Sequence, residues 1–221
     1  MLRGVRVISV GADPGESAAI AVGRGARGKR PVLLGLWQIH GSTDAAWFRR
    51  ADVAVGGLWD VLDAEAGIER PVVSLEGAVP VARGPFAHHA SGWGLGFRAG
   101  VLFAMLREQL GVMPCVVLPS KAGWWGPLTM GGKPLGPKRD GGQHRIGEAG
   151  LFCDGAAAAL AGLDMGSDAA KSRRVDAAEA VLIACARAYR ELGIKAERPA
   201  KAKRPRAKPA TTNQRKARGA A

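Results

Sequence analysis

Apolar residues near the start of the chain form three short runs separated by turn-forming residues. The runs are Val5–Gly11, Ser17–Val22 and Val32–Gln38, and the last two are separated by the Gly/Arg-rich segment Gly23–Arg30. Short apolar runs bounded by such residues are typical of strands. Because the three runs follow one another closely, they predict an antiparallel meander.

Helical spacing begins after the third run. Apolar residues recur every three or four positions in Thr43–Ala66, which predicts a helix with Ser42 or Thr43 as its N-cap. Pro71–Leu75 predicts a short strand that ends at Glu76. The later predictions are a loop at Ala78–Gly92, a helix at Gly94–Leu110, a strand at Val112–Leu118, an irregular segment at Pro119–Gly142, a weak helix at His144–Ala161 broken at Gly150 and Gly155, and a strong helix at Val175–Leu192.

This order of elements predicts one α/β domain. A three-strand antiparallel meander followed by helix-linked strands gives a mixed five-stranded sheet, with parallel strands added to the meander and helices on its faces. We expect the domain to span residues 1–196. Residues 197–221 are rich in Pro, Lys and Ala, and we expect them to form a disordered basic tail.

The net charge of +13 favours a polyanionic partner. Nine basic residues and no acidic ones lie from Arg198 onward, which leaves +4 for the preceding residues. The tail is therefore expected to add sequence-independent affinity for such a partner, while the body remains moderately basic.

The cysteines and the apolar segments argue against several classes of protein, namely disulfide-rich, zinc-binding and membrane-spanning ones. Cys115, Cys153 and Cys185 are far apart and form no CxxC pair, which argues against a disulfide framework or a zinc site. No apolar run reaches the ~18 residues of a membrane helix, and no signal-peptide pattern precedes the first strand. We expect a soluble, cytoplasmic protein.

Four carboxylates lie where they could meet. Asp13 follows the first strand within Gly11–Gly15, Glu76 follows the fourth strand, and Asp176 and Glu179 lie three apart on one face of the last helix. Clustered acids repel one another unless a cation is bound, and Mg²⁺ and Mn²⁺ prefer oxygen ligands. Phosphodiester hydrolysis can use two such cations about 4 Å apart, so the pattern predicts a metal-dependent nuclease.

Each acid also has a simpler interpretation. Asp13-Pro14-Gly15 is an ordinary turn sequence, and Glu76 could be a solvated acid at a strand end. Asp176 and Glu179 match a capping box, with Asp176 as N-cap. The nuclease interpretation therefore depends on all four acids converging.

The acidic motifs resemble those of the RuvC-type Holliday junction resolvases of the ribonuclease H-like superfamily, and the divergent phage-like members most of all. The resemblance covers Val5–Leu192, and its most specific part is the run VDAAEAVLIA at Val175–Ala184. It implies a homodimer that binds branched DNA and makes paired nicks with Mg²⁺, for which Mn²⁺ can substitute. It also implies these catalytic and metal-binding acids: Asp13, Glu76, Asp176 and Glu179.

Basic residues in or beside the irregular segment are candidate DNA contacts. Lys121 follows the fifth predicted strand, where the family places a DNA-contacting lysine. A solvated loop is the alternative for each residue. The candidates are Lys121, Lys133, Lys138, Arg139 and Arg145, with His144 beside them.

Aromatic and histidine pairs leave further alternatives open. The bacterial resolvases carry an aromatic wedge three positions after the second acid; here that position is Val79, and Phe86 or Trp93 could replace it. Trp124-Trp125 could stack on unpaired bases, but packing is favoured for at least one of them. His88-His89 could touch phosphate, although a polar loop pair is the simpler interpretation.

Three other functions compete with junction resolution. An actin-like ATPase shares the core, but it needs a second related domain and a second Gly-rich phosphate loop, and neither is evident in the sequence. A non-catalytic DNA-binding protein would have no use for four acids. Another ribonuclease H-like nuclease, acting on RNA–DNA hybrids or flaps, is barely separable by sequence. The apolar helix Gly94–Leu110 is the candidate dimer interface.

Overall fold

The structure, a computed structural model, describes residues 6–14, 17–65, 70–77, 89–137, 142–163 and 168–198. These residues contain eight strands and five helices. In chain order they are β1 (Arg6–Asp13), β2 (Ser17–Ala26), β3 (Val32–His40), α1 (Asp44–Ala64), β4 (Val72–Glu76), α2 (His89–Leu110), β5 (Cys115–Val117), β6 (Leu128–Met130), β7 (Lys133–Pro134), α3 (His144–Phe152), α4 (Ala156–Ala161), α5 (Asp168–Glu191) and β8 (Ala196–Arg198).

The predicted mixed sheet of five strands is confirmed. Its order is β3-β2-β1-β4-β5, with antiparallel pairing within β1–β3 and parallel pairing of β4 with both β1 and β5. The predicted N-cap of α1 is confirmed as well, since the Thr43 hydroxyl accepts a hydrogen bond of 3.2 Å from the backbone N–H of Ala46.

Successive side chains of a strand point to opposite faces of the sheet, and this alternation produces two hydrophobic cores, one on each face. Val10 and Ala12 of β1 are fully buried on the face that packs against α1 and α2. Ala19 and Ala21 of β2 are buried on the other face, against α5. Helices therefore cover both faces, and α5 packs against the second, where α3 and α4 add to the core.

Helix α5 packs unusually close to β1. A Cβ atom at Gly11 would lie 2.3 Å from both Ala180 O and Ala184 N, and one at Gly25 would lie 2.9 Å from Ala188 Cβ. Gly11 lies near the end of β1, whereas Gly25 pairs with the beginning of β1. Helix α5 therefore runs antiparallel to β1, and its residues around 176–180 lie beside the carboxyl end of β1.

The bounds of β2 and α5 differ from the sequence prediction. Strand β2 continues to Ala26 rather than ending at Val22, because its pairing with β1 extends to Arg6. Helix α5 begins at Asp168 rather than Val175. The polar residues before Val175 carry no apolar periodicity, so the sequence offered no signal for this additional length.

The segment predicted to be irregular contains a short hairpin. Strands β6 and β7 pair with each other, and β6 also pairs with β8, which forms a second sheet of three strands. Glu197 and Arg198, assigned by sequence to the tail, belong to β8; residues 199–221 lie outside the described residues. Gly150 lies inside α3, while the predicted break at Gly155 is present with φ of 86°.

No helix among the described residues has both the length and the apolar character needed to cross a membrane.

Candidate metal centre

Two of the four predicted acids end neighbouring parallel strands. The last paired positions of β1 and β4 are Ala12 and Leu75, and the next residue along each strand is Asp13 or Glu76. Ala12 is buried against the α1–α2 core, so Asp13 lies on the opposite face, the one that packs against α5. Strand pairing therefore brings the two acids to one edge of the sheet.

Helix α5 supplies the other two acids from its interior. Asp176 is eight residues beyond the first residue of α5, so it cannot be the N-cap, and the capping-box interpretation is excluded. One carboxylate oxygen each from Asp13, Asp176 and Glu179 lie within 4.8 Å of one another. Asp13 and Asp176 are half-buried, whereas Glu179 is only 3% exposed.

Glu76 lies beside this group of three without being a member of it. Its Oε2 accepts a hydrogen bond of 3.0 Å from Nε1 of Trp124. Trp124 is itself 2% exposed, so packing rather than base stacking accounts for this tryptophan. Trp125 is half-buried and meets Trp124 edge to face, with ring centroids 6.1 Å apart.

Arg145 reaches the same group from α3. Its side chain is fully buried, and its Nε donates to Glu179 Oε1 at 3.2 Å while one terminal nitrogen donates to Glu148 Oε2 at 2.7 Å. The guanidinium carbon lies 5.2 Å from the centroid of the Trp124 ring. Arg145, which the sequence analysis listed as a candidate DNA contact, is therefore buried and paired within the chain in this structure.

The donor set suits a hard divalent cation. Three carboxylate oxygens at these separations are the ligand type that Mg²⁺ and Mn²⁺ prefer. A cation there would offset the repulsion among acids that Arg145 offsets only in part. The half-buried carboxylates of Asp13 and Asp176 also keep contact with solvent, which a catalytic cation needs if it is to retain water ligands.

Two of the remaining predicted DNA contacts, Lys121 and Lys133, belong to the described residues. Lys121 is exposed and lines an open cavity of about 600 Å³ together with Arg190 and Lys195. Lys133 is exposed in β7. Several predicted contacts or aromatic candidates lie outside the described residues: Val79, Phe86, His88, Lys138 and Arg139, with the side chains of His89 and Trp93.

Sequence reasoning missed the roles of Trp124, Arg145 and Glu148 in this site. The only signal within the sequence was the i,i+3 spacing of Arg145 and Glu148 on a helix, which indicates a possible ion pair but not its burial. Trp124 approaches Glu76 across 48 residues of chain, a separation over which spacing carries no information.

Comparison with known proteins yields matches among solved structures only. No protein-family model matches the sequence, and no curated protein matches it. The Thermus thermophilus RuvC structure is 17% identical with a TM-score of 0.49. The structure of T. thermophilus RuvC in complex with Holliday junction substrate is 17% identical with a TM-score of 0.50. Each alignment covers 86% of this chain and 98% of the other.

Identity this low supports a common fold and leaves activity to be argued from the site. The strand order and the helices on both faces agree with the mixed sheet that the order of elements predicted, and the match to the second of these structures indicates the same fold. The chain therefore has a RuvC-like fold of the ribonuclease H-like type.

Proposed function

We propose that this protein is a divalent-metal-dependent endonuclease that cuts branched DNA, with Asp13, Glu76, Asp176 and Glu179 as its catalytic acids. The proposal rests above all on the approach of Asp13, Asp176 and Glu179, whose carboxylate oxygens lie within 4.8 Å although the residues are up to 166 positions apart. A fold has no structural need to gather three acids at one point, because their mutual repulsion opposes folding.

Each acid has a distinct place in the proposed site. Asp13 and Asp176 present half-buried carboxylates to the solvent side, and Glu179 supplies a buried one from α5. Glu76 is oriented by the indole N–H of Trp124. Bound Mg²⁺ or Mn²⁺ would supply Lewis acidity for hydrolysis of a phosphodiester. The residues of this chain hold the ligand oxygens in place, and the partial exposure of Asp13 and Asp176 lets a substrate approach them.

Branched DNA is the proposed substrate because of charge and fold together. The body is basic, and the exposed Lys121 and Lys133 are suited to phosphate contact without reading sequence. The junction-bound structure that this chain resembles was determined with a Holliday junction substrate. Four-way junctions have two-fold symmetry, so two cuts on one junction call for a homodimer, and α2 remains the proposed interface.

The decisive experiment compares substrates with and without Mg²⁺. Purified full-length protein is incubated with a synthetic four-way junction, an RNA–DNA hybrid and a plain duplex. We expect Mg²⁺-dependent paired nicks in the junction. Cleavage of the hybrid in preference to the junction would favour the other ribonuclease H-like nucleases, and no Mg²⁺-dependent cleavage of any substrate would reject the proposal.

A variant tests the proposed role of the acid that ends β1. Asp13→Asn should reduce cleavage by more than about 100-fold, because loss of a group that only orients a metal ligand commonly costs up to about 100-fold. Junction binding should persist. Asp52→Asn, which changes an exposed carboxylate of α1 away from the site, is the matched control and should cleave normally. Full activity of Asp13→Asn would remove this residue from the site.

A further inference from the structure

We propose that Arg145 is a positioning residue of the metal centre: a built-in cation that holds Glu179 directly and Glu76 through Trp124. The inference rests on the proposed function, because it assigns Arg145 to the same site. It concerns how this chain fixes the geometry of its acids before any metal is bound.

The burial of Arg145 requires an explanation. Its side chain is fully buried, and a guanidinium is stable in such a place only when its donors are satisfied. Nε pairs with Glu179, one terminal nitrogen pairs with Glu148, and the other donates to the carbonyl of Gly136. Every nitrogen of the guanidinium therefore has a partner on the chain.

Most of these anchors do not involve the acidic group. Glu148, the Gly136 carbonyl and the faces of Trp124 and Trp125, at 5.2 and 5.8 Å from the guanidinium carbon, hold Arg145 independently of Glu179. The guanidinium is therefore a fixed reference point and Glu179 is the partner that it orients. A carboxylate has about four acceptor sites, so Glu179 can accept from Arg145 and still bind a cation.

The same guanidinium is connected to the fourth acid, Glu76, through Trp124. Trp124 lies against Arg145 with its ring and donates through Nε1 to Glu76 Oε2 at 3.0 Å. Glu179 belongs to α5 and Glu76 to β4, so one Arg–Trp pair connects acids from two separate elements. Supporting groups of this kind set the orientation of metal ligands and commonly change metal affinity 10- to 100-fold when removed.

Two other roles for Arg145 make different predictions. If the buried ion pairs only stabilise the fold, their loss lowers stability but leaves metal affinity unchanged. If Arg145 only balances charge, its removal strengthens metal binding, because a nearby positive charge repels a cation. A positioning role predicts weaker metal binding in a variant that keeps the positive charge but loses the planar fork.

The test measures Mn²⁺ binding by calorimetry in the full-length protein, in parallel with thermal unfolding of the metal-free form. Arg145→Lys keeps the charge, and Trp124→Phe keeps an aromatic ring while removing the donor to Glu76. We expect Arg145→Lys to bind Mn²⁺ about 10-fold more weakly and Trp124→Phe to lose affinity to a smaller extent. Arg187→Gln is the control, because it removes an Arg–Glu pair on α5 outside the site and should bind as the unmodified protein does.

The outcomes separate this inference from the function on which it rests. Unchanged or tighter Mn²⁺ binding by folded Arg145→Lys overturns the positioning role. If Arg145→Lys does not fold, Trp124→Phe decides, and unchanged affinity there also overturns the proposal. If the unmodified protein binds no Mn²⁺, or binds it equally well after Asp13→Asn, the proposed metal centre fails as well.

Discussion

Replacing Gly11 by alanine should force α5 away from the strand that carries Asp13. The added Cβ would lie 2.3 Å from Ala180 O and from Ala184 N, both of them backbone atoms of α5 that cannot rotate away. The backbone at Gly11 has no positive φ, so alanine introduces no torsional strain there. The steric overlap is therefore the whole perturbation, and the helix itself must move.

The size of the movement follows from the contact distance. Cβ atoms essentially never approach other atoms within 3.0 Å, so a contact at 2.3 Å requires a shift of at least about 0.7 Å. Normal van der Waals distance, about 3.5 Å, would require about 1.2 Å. Overpacking of this kind costs about 1–3 kcal/mol of unfolding free energy. Metal sites tolerate deviations of about 0.2 Å, so Asp176 and Glu179 would leave the position at which they meet Asp13.

Two measurements check this prediction. Urea unfolding of Gly11→Ala should show a lower free energy of unfolding, and Mn²⁺ calorimetry on the folded variant should show weaker binding. Gly56→Ala is the matched control, because Gly56 is exposed in α1 with no atom within 4 Å of the added Cβ. That control should gain about 0.5–1 kcal/mol from helix propensity and bind Mn²⁺ normally.

A Gly11→Ala protein with unchanged stability would show that α5 does not approach β1 at backbone distance. A destabilised variant with unchanged Mn²⁺ affinity would show that the acids do not depend on the seating of α5 against β1. Either result would refute a dependence of the metal centre on the packing of α5 against β1.

The other predictions concern the surface. Lys121 and Lys195 line one open cavity. The double variant Lys121→Gln, Lys195→Gln should therefore weaken junction binding and reduce the slope of log affinity against log salt by about 2. An unchanged slope in a filter-binding titration would exclude this cavity as a phosphate contact. The Thr129 hydroxyl and the Gly132 N–H donate hydrogen bonds to Glu197 and lower the pKa of its carboxyl below the value in the unfolded chain. The ionised carboxylate therefore stabilises the fold at pH values above the unfolded pKa. This stabilisation is lost as the pH falls through the lower pKa of the folded state. Glu197→Gln should therefore show a shallower loss of thermal stability on acidification than the unmodified protein, and parallel pH profiles would contradict this.

The sequence predicted the elements and the acids because these signals are local. Apolar periodicity located β1, α1 and β4 to within a few residues, since a strand or helix must bury one face whatever it packs against. Asp13 and Glu76 were recognisable because each lies at the end of such a strand. The parallel pairing of β1 with β4 then brings them together, and this pairing was a condition that the sequence left open.

The tertiary structure alone decided the features that depend on contacts between distant segments. Three-residue β6 and β8 carry too little local pattern to be recognised, and they exist because they pair across 67 residues or more. Arg145 has the same chemistry in a solvated loop as in a buried site, and only packing against Trp124 and Glu179 makes it part of the acidic group. The local sequence determines which side chains a helix or strand presents on each face. Which other segment packs against that face depends on the whole chain, because the fold must avoid buried unpaired charge and empty space.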